Sequence, residues 1–153
     1  MGLDMYLTAK KYLSTYDVED KKIQTVLKKA FQTEFLPNEV AFEAGYWRKA
    51  NHIHNWFVQN VQNGDDDCKE YWVDKSKLEE LKEECDTILA AVGQESFAEI
   101  AAESLPASEG FFFGGVDYDE YYIEQTRYTS ELIGRLLNNP QLKDMNFYYR
   151  SSW

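Results

Sequence analysis

The chain has 153 residues, a length typical of one domain, and a formal net charge of −11 at pH 7. This charge repels phosphates and anionic lipid headgroups, so it disfavours non-specific binding to nucleic acids and to membranes. Aromatic residues make up 16% of the chain, which argues against wholesale disorder. We therefore expect one folded domain over residues 1–153.

The first half of the chain changes its hydrophobic period several times. Apolar and polar residues alternate over residues 3–13, which predicts a half-buried strand with Asp4 on its wetter face. Residues 23–31 have helical spacing with lysines opposite, and Asp17 is the predicted N-cap. A second alternation over residues 40–46 predicts another strand. Gly45 then predicts a turn into a helix over about residues 47–63.

The second half continues with helices and ends on a strand. Ser76 and Glu79 form a capping-box pattern before a strongly amphipathic helix, and a short helix is predicted over residues 96–103. Glycines enclose three phenylalanines in residues 110–115. This pattern predicts either a short buried strand or a loop packed on the core. Asp117 and Glu120 predict the start of the last helix, and alternation over residues 144–153 predicts the final strand.

These elements predict an α+β fold. The N- and C-terminal strands would share a single small antiparallel or mixed sheet, covered on one face by about four helices. Two scattered cysteines, Cys68 and Cys85, indicate a reducing compartment. Since neither a signal sequence nor an apolar membrane span is recognisable, the expected location is the cytoplasm.

Three segments of the sequence resemble a known group of proteins. They are the opening MGLDMYL, the segment GYWRKAN that starts at Gly45, and the segment GFFFG that starts at Gly110. The combination resembles a family of small uncharacterised proteins from phages, prophages and their bacterial hosts. The resemblance implies a phage-type accessory protein that acts against or beside host systems, in the cytoplasm of the host cell. It implies no activity, cofactor or catalytic residue.

Aromatic, cationic and amide side chains crowd the predicted start of the second helix. A helix N-terminus favours anions, aromatic rings stack on bases, and arginine binds phosphate bidentately. We therefore predict a site for a small anionic ligand between this segment and the segment around residues 111–122. The predicted ligand-binding residues are Tyr46, Trp47, Arg48, Lys49, Asn51, His52, His54, Phe112, Tyr118, Asp119 and Tyr122. The alternative is that the aromatics are core, the cations pair with nearby acids and the histidines lie on the surface.

No residue pattern in the sequence predicts a cofactor or a metal. His52 and His54 are two residues apart, so on a helix they point about 200° apart and cannot chelate one ion together. The acidic run at residues 65–67 lacks the ligand spacing of an EF-hand and is interpreted as a solvated loop. Residues 110–115 lack the lysine of a phosphate-binding loop, and no GxSxG elbow is present.

The first functional hypothesis is a non-enzymatic protein that binds a nucleotide or a nucleotide-derived defence signal. The second is a protein that inhibits a host protein through its acidic, tyrosine-rich surface, because tyrosine and tryptophan are favoured at interface centres. The third is a metal-dependent hydrolase that would use Asp119, Glu120 and one of the two histidines. The sequence leaves the oligomeric state open, a homodimer included.

Overall fold

The computed structural model describes residues 2–153, which form a four-stranded antiparallel sheet and five α-helices. The strands are β1 (Asp4–Tyr12), β2 (Glu39–Arg48), β3 (Tyr71–Val73) and β4 (Asn146–Ser152). The helices are α1 (Val18–Ala30), α2 (Asn51–Asn60), α3 (Lys75–Ala91), α4 (Phe97–Ser104) and α5 (Glu120–Leu137), followed by a short 3₁₀ turn at Pro140–Leu142. The predicted α+β fold with a small sheet is confirmed.

The strand order in the sheet is β2-β1-β4-β3, with every neighbouring pair antiparallel. The N-terminal strand β1 therefore lies beside the C-terminal strand β4, as the sequence predicts. Because side chains alternate along a strand, one face of β1 is buried and the other is half-exposed. The buried face carries Met5, Leu7 and Ala9, and the open outer face carries Asp4, Tyr6 and Thr8.

The helix α2 is the most deeply buried helix of the fold. Seven of its ten residues are buried, so its polar residues are enclosed as well as its apolar stripe. The predicted boundary is wrong here, because β2 continues through Arg48 and α2 starts only at Asn51. Lys49 makes the break: its φ is 57°, and its backbone N–H donates to the Leu3 carbonyl at 2.7 Å.

Gly45 does not form the predicted turn. It is a buried residue inside β2, opposite Leu7. A Cβ atom at this position would lie 2.5 Å from Leu132 Cδ2 and 3.1 Å from the Trp47 ring. The glycine therefore lets α5 approach the strand closely, and the strand passes through it without turning.

The N-cap of α5 also differs from the prediction. Asp119 caps the helix by accepting a hydrogen bond from the Tyr122 backbone N–H at 3.1 Å, so Asp117 is not the cap. A carboxylate in this position satisfies a free N–H and the positive end of the helix dipole. The structural role of Asp119 is therefore clear, whereas the sequence assigned the cap two residues earlier.

Within residues 2–153, no helix combines the length and apolar character needed to cross a membrane.

Candidate ligand-binding cavity

Trp47 is a core residue. Its side chain is 1% exposed, and its indole N–H donates to the buried Thr129 hydroxyl at 2.9 Å. The ring packs against Phe57 at 6.1 Å and Tyr128 at 6.0 Å between centroids. The prediction that this indole faces a ligand is therefore corrected. The physical reason is strand alternation, which turns Trp47 inward and its two neighbours outward.

Tyr46 and Arg48 lie on the open outer face of the sheet. The Tyr46 hydroxyl donates to Asp4, and this hydrogen bond raises the pKa of Tyr46. The Arg48 guanidinium lies 3.7 Å from Asp4, and its side chain is 58% exposed. Neither residue lines the depression or the cavity described below.

Five of the predicted residues do come together in a depression between α2 and the start of α5. These residues are Lys49, Asn51, His52, Asp119 and Tyr122. The space they enclose is about 50 Å³, which suits a water molecule and is far smaller than a nucleotide. Asp117 and Asp119 also line it, so its charge does not favour an anion.

His52 belongs to the interior of this cluster. Its ring packs against Tyr122 at 4.1 Å between centroids with the planes tilted by 33°, and Tyr118 packs edge-on against the Tyr122 ring at 5.0 Å. Burial lowers the pKa of His52 to about 3, so the imidazole is neutral near pH 7. Thr126 donates its hydroxyl to the Tyr122 carbonyl at 2.8 Å, which leaves Thr126 Oγ1 to accept from His52 Nε2 at 3.2 Å. A neutral, paired imidazole offers an anion no charge.

Asn51 attaches the glycine-enclosed loop to the start of α2. Its amide nitrogen donates to the carbonyls of Phe113 at 3.1 Å and Gly115 at 2.7 Å. Its amide oxygen accepts from the Ser108 backbone N–H at 3.0 Å. Three hydrogen bonds from one buried side chain hold residues 108–115 in place, so the role of Asn51 is to position the loop.

A larger cavity, the His54 cavity, opens on the other side of this loop. Its volume is about 460 Å³, within the range of small-molecule sites. Four aromatic residues are among those that line it: Phe111, which is 95% exposed, Phe112, Phe113 and Trp153. The remaining lining residues are His54, Asn55, Val58, Gln59, Asp66, Ser108, Glu109 and Gly110.

A chain of hydrogen bonds runs from the core to the cavity through His54. Burial raises the pKa of Tyr149 well above its ordinary value, so its hydroxyl keeps its proton and donates to His54 Nδ1 at 2.7 Å. The opposite ring nitrogen, Nε2, then donates to Asp66 Oδ2 at 2.9 Å. Trp153 donates its indole N–H to the second Asp66 oxygen at 3.1 Å. Asp66 is thereby fixed at the cavity wall by two donors.

The electrostatic character of the cavity follows from its lining. Asp66 and Glu109 are carboxylates, and neither lysine nor arginine occurs among the described residues that line it. Asp66 is one-quarter exposed, and its two carboxylate oxygens accept from the ring N–H groups of His54 and Trp153. The cavity therefore favours a cation with apolar surface and disfavours an anion.

The residues proposed for a hydrolase do not converge on a metal site. His52 faces Thr126, whereas His54 faces Asp66 and Tyr149. Asp119 is occupied as the α5 cap. Across residues 2–153, no group of three or more histidine, cysteine, aspartate or glutamate side chains has an arrangement that suits a metal ion.

Comparisons of the chain with protein-family models, with curated proteins and with solved structures found no match in any of the three.

Sequence reasoning found two residues of the His54 cavity, His54 and Phe112, and missed the others. Asp66 was interpreted as part of a solvated loop, and Trp153 as the end of a strand. The structure separates two acids of this run: Asp66 accepts from His54 and Trp153, whereas Asp67 pairs with Lys69 at the surface. No pattern within the run itself distinguishes these two aspartates.

Proposed function

We propose that the protein binds a small organic cation in the His54 cavity. The observation that carries this proposal is an aromatic-lined cavity of about 460 Å³ with two carboxylates and neither lysine nor arginine in its lining. Ammonium groups attached to carbon are recognised by aromatic faces through cation–π attraction and by carboxylates through charge. The lining contributes two carboxylates, and within residues 2–153 no group of three or more histidine, cysteine, aspartate or glutamate side chains suits an inorganic metal ion.

This proposal keeps the binding role inferred from the sequence and changes the charge of the ligand. The predicted anion site depended on Arg48 and Trp47 facing the same ligand. Arg48 instead pairs with Asp4 on the outer sheet face, and Trp47 is enclosed. The resemblance to phage and prophage proteins adds a biological setting to the proposal, in which the protein would sequester a small cation inside a host cell.

Titration of the protein with a ligand panel tests the proposal. Tetramethylammonium, choline and spermidine represent organic cations, and ATP represents the anionic alternative. We expect the cations to shift the NMR signals of Trp153 and of residues 109–113, while ATP leaves them unchanged. Shifts caused by ATP with none caused by the cations would overturn the proposal.

Variants of the two carboxylates sharpen this test. We expect Asp66→Asn to weaken cation binding about tenfold and Glu109→Gln to weaken it about threefold, because each removes one negative charge from the wall. Asp67→Asn is the matched control, since Asp67 pairs with Lys69 and accepts from the Tyr71 hydroxyl outside the cavity. Equal losses of affinity in Asp66→Asn and Asp67→Asn would show a general charge effect and no site.

A further inference from the structure

Exposed apolar side chains are concentrated around α1. Nine of the sixteen large apolar side chains that are exposed in the described residues lie within residues 12–42. We call these nine the α1 surface. They are Tyr12, Tyr16, Val18, Ile23, Val26, Phe31, Phe35, Leu36 and Phe42. Isolated exposed apolar residues are ordinary, whereas a concentration of this size marks an interaction surface.

The orientation of α1 explains why this surface is exposed. The helix buries two polar residues, Asp20 and Gln24, and leaves Ile23 and Val26 outside. Asp20 accepts from Lys11 Nζ at 2.6 Å and from the Ser14 backbone N–H at 2.9 Å. Gln24 donates to the carbonyls of Leu13 at 3.3 Å and Pro37 at 2.9 Å. These bonds hold the polar side of the helix against the ends of β1 and β2, so the apolar side must face away.

The exposed area makes up a large part of an interface. Tyr12 and Phe42 lie on opposite faces of the sheet, because Phe42 pairs with a residue of the buried face of β1, so one contact does not cover both. The other three aromatic residues, Tyr16, Phe31 and Phe35, are each more than three-quarters exposed. At about 150–250 Å² for each such side chain, they leave roughly 500 Å² uncovered before the aliphatic residues are added. A standard interface buries about 800 Å² on each partner. The neighbouring strand β2 is also an edge strand, whose outer backbone groups have no strand beside them within residues 2–153.

The charge on α1 is opposite to that of the rest of the chain. The helix carries four lysines against Glu19 and Asp20, whereas the other 140 residues carry 12 Lys and Arg against 25 Asp and Glu. Glu19 pairs with Lys22, and Asp20 is turned inward to Lys11. Among the described residues, no carboxylate forms an ion pair with Lys21, Lys28 or Lys29. A basic, apolar helix on an acidic protein is complementary to the body of another copy.

We propose that the α1 surface binds the acidic body of a second copy of this chain. In a two-fold dimer each copy presents both the basic helix and the acidic body, so the contact forms twice. The apolar residues supply the buried area, and the three unpaired lysines supply attraction between two molecules whose net charges otherwise repel. This inference is independent of the His54 cavity and of its ligand.

Sedimentation equilibrium of the full chain over a dilution series tests the proposal. We expect a reversible dimer for the wild type and a dimer dissociation constant raised about tenfold or more by Val26→Glu, which places an anion in the apolar contact. Val26 is 65% exposed, so circular dichroism should show an intact fold. Val92→Glu makes the same change on an exposed valine outside the α1 surface and should leave the dimer unchanged. A wild type that is monomeric at the highest soluble concentration would overturn the proposal.

The charge contribution has its own test. The double variant Lys21→Glu and Lys28→Glu should weaken the dimer, and added salt should weaken the wild-type dimer but affect the double variant less. A dimer strengthened by the charge reversal would overturn the proposal. So would a wild type that stays monomeric and instead binds phosphatidylserine vesicles through α1, because a basic amphipathic helix also suits an anionic membrane surface.

Discussion

Trp47→Ala is expected to lower the free energy of unfolding by about 3–5 kcal/mol. The indole is 1% exposed and packs on Phe57 and Tyr128, so its removal leaves a cavity in the core. The substitution also leaves the buried Thr129 hydroxyl without its indole donor. Urea unfolding followed by circular dichroism measures this loss without depending on tryptophan fluorescence.

Trp72→Ala is the matched control for this prediction. Trp72 lies on the edge strand β3 and is 55% exposed, so its removal should cost less than about 1 kcal/mol. A Trp47→Ala protein as stable as Trp72→Ala would contradict the core assignment. It would restore the hypothesis that the Trp47 indole faces a ligand, with a role in binding in place of a role in packing.

Asn51→Ala is expected to lower the free energy of unfolding by about 2–4 kcal/mol. The substitution removes three hydrogen bonds and leaves the Phe113 and Gly115 carbonyls and the Ser108 N–H without this partner. Since residues 108–113 form one wall of the His54 cavity, the loop should also exchange its amide hydrogens faster. Urea unfolding and hydrogen exchange measure the two effects separately.

Asn60→Ala provides the comparison for Asn51→Ala. Asn60 is the last residue of α2, and its side chain donates only to the Trp56 carbonyl within the same helix. We expect this variant to lose less than about 1 kcal/mol and to leave the loop protected. Equal hydrogen exchange in residues 108–115 of the two variants would contradict the role of Asn51 in positioning the loop.

Most of the fold could be predicted from the sequence, because the periodicity of its elements is strong. The alternation over residues 3–13 and 144–153 predicts strands that the structure places side by side as β1 and β4. The Asp17 cap of α1 is confirmed, with Asp17 accepting from the Asp20 N–H at 2.9 Å. Each of these signals is local, so a single sequence is enough to detect it.

The boundary between β2 and α2 could not be predicted, because the local signals point the wrong way. Glycine at residue 45 normally marks a turn, but here it accommodates the Leu132 side chain of α5. The break comes at Lys49, in a left-handed conformation that sequence patterns do not predict for lysine. Because the boundary lies a few residues later than predicted, Trp47 and Arg48 belong to a strand and not to a helix. Their side chains therefore point to opposite faces of the sheet.

The candidate cavity could not be predicted for a different reason. It is assembled from His54, Asp66, residues 108–113 and Trp153, segments that lie far apart along the chain. Hydrophobic periodicity gives no distance between such segments. The pairing of Asp66 with His54 and Trp153 depends on how the acidic loop closes over the end of β4, which only the tertiary structure supplies.

The His54 cavity is expected to accept a cation and to reject an anion. The most direct measurement is a crystal structure of the protein soaked with choline. We expect density for the trimethylammonium group against the Phe111 and Trp153 rings, with Asp66 and Glu109 as its nearest charged groups. An empty cavity at saturating choline, with nucleotide density beside Arg48 or Lys49 in a parallel ATP soak, would contradict it.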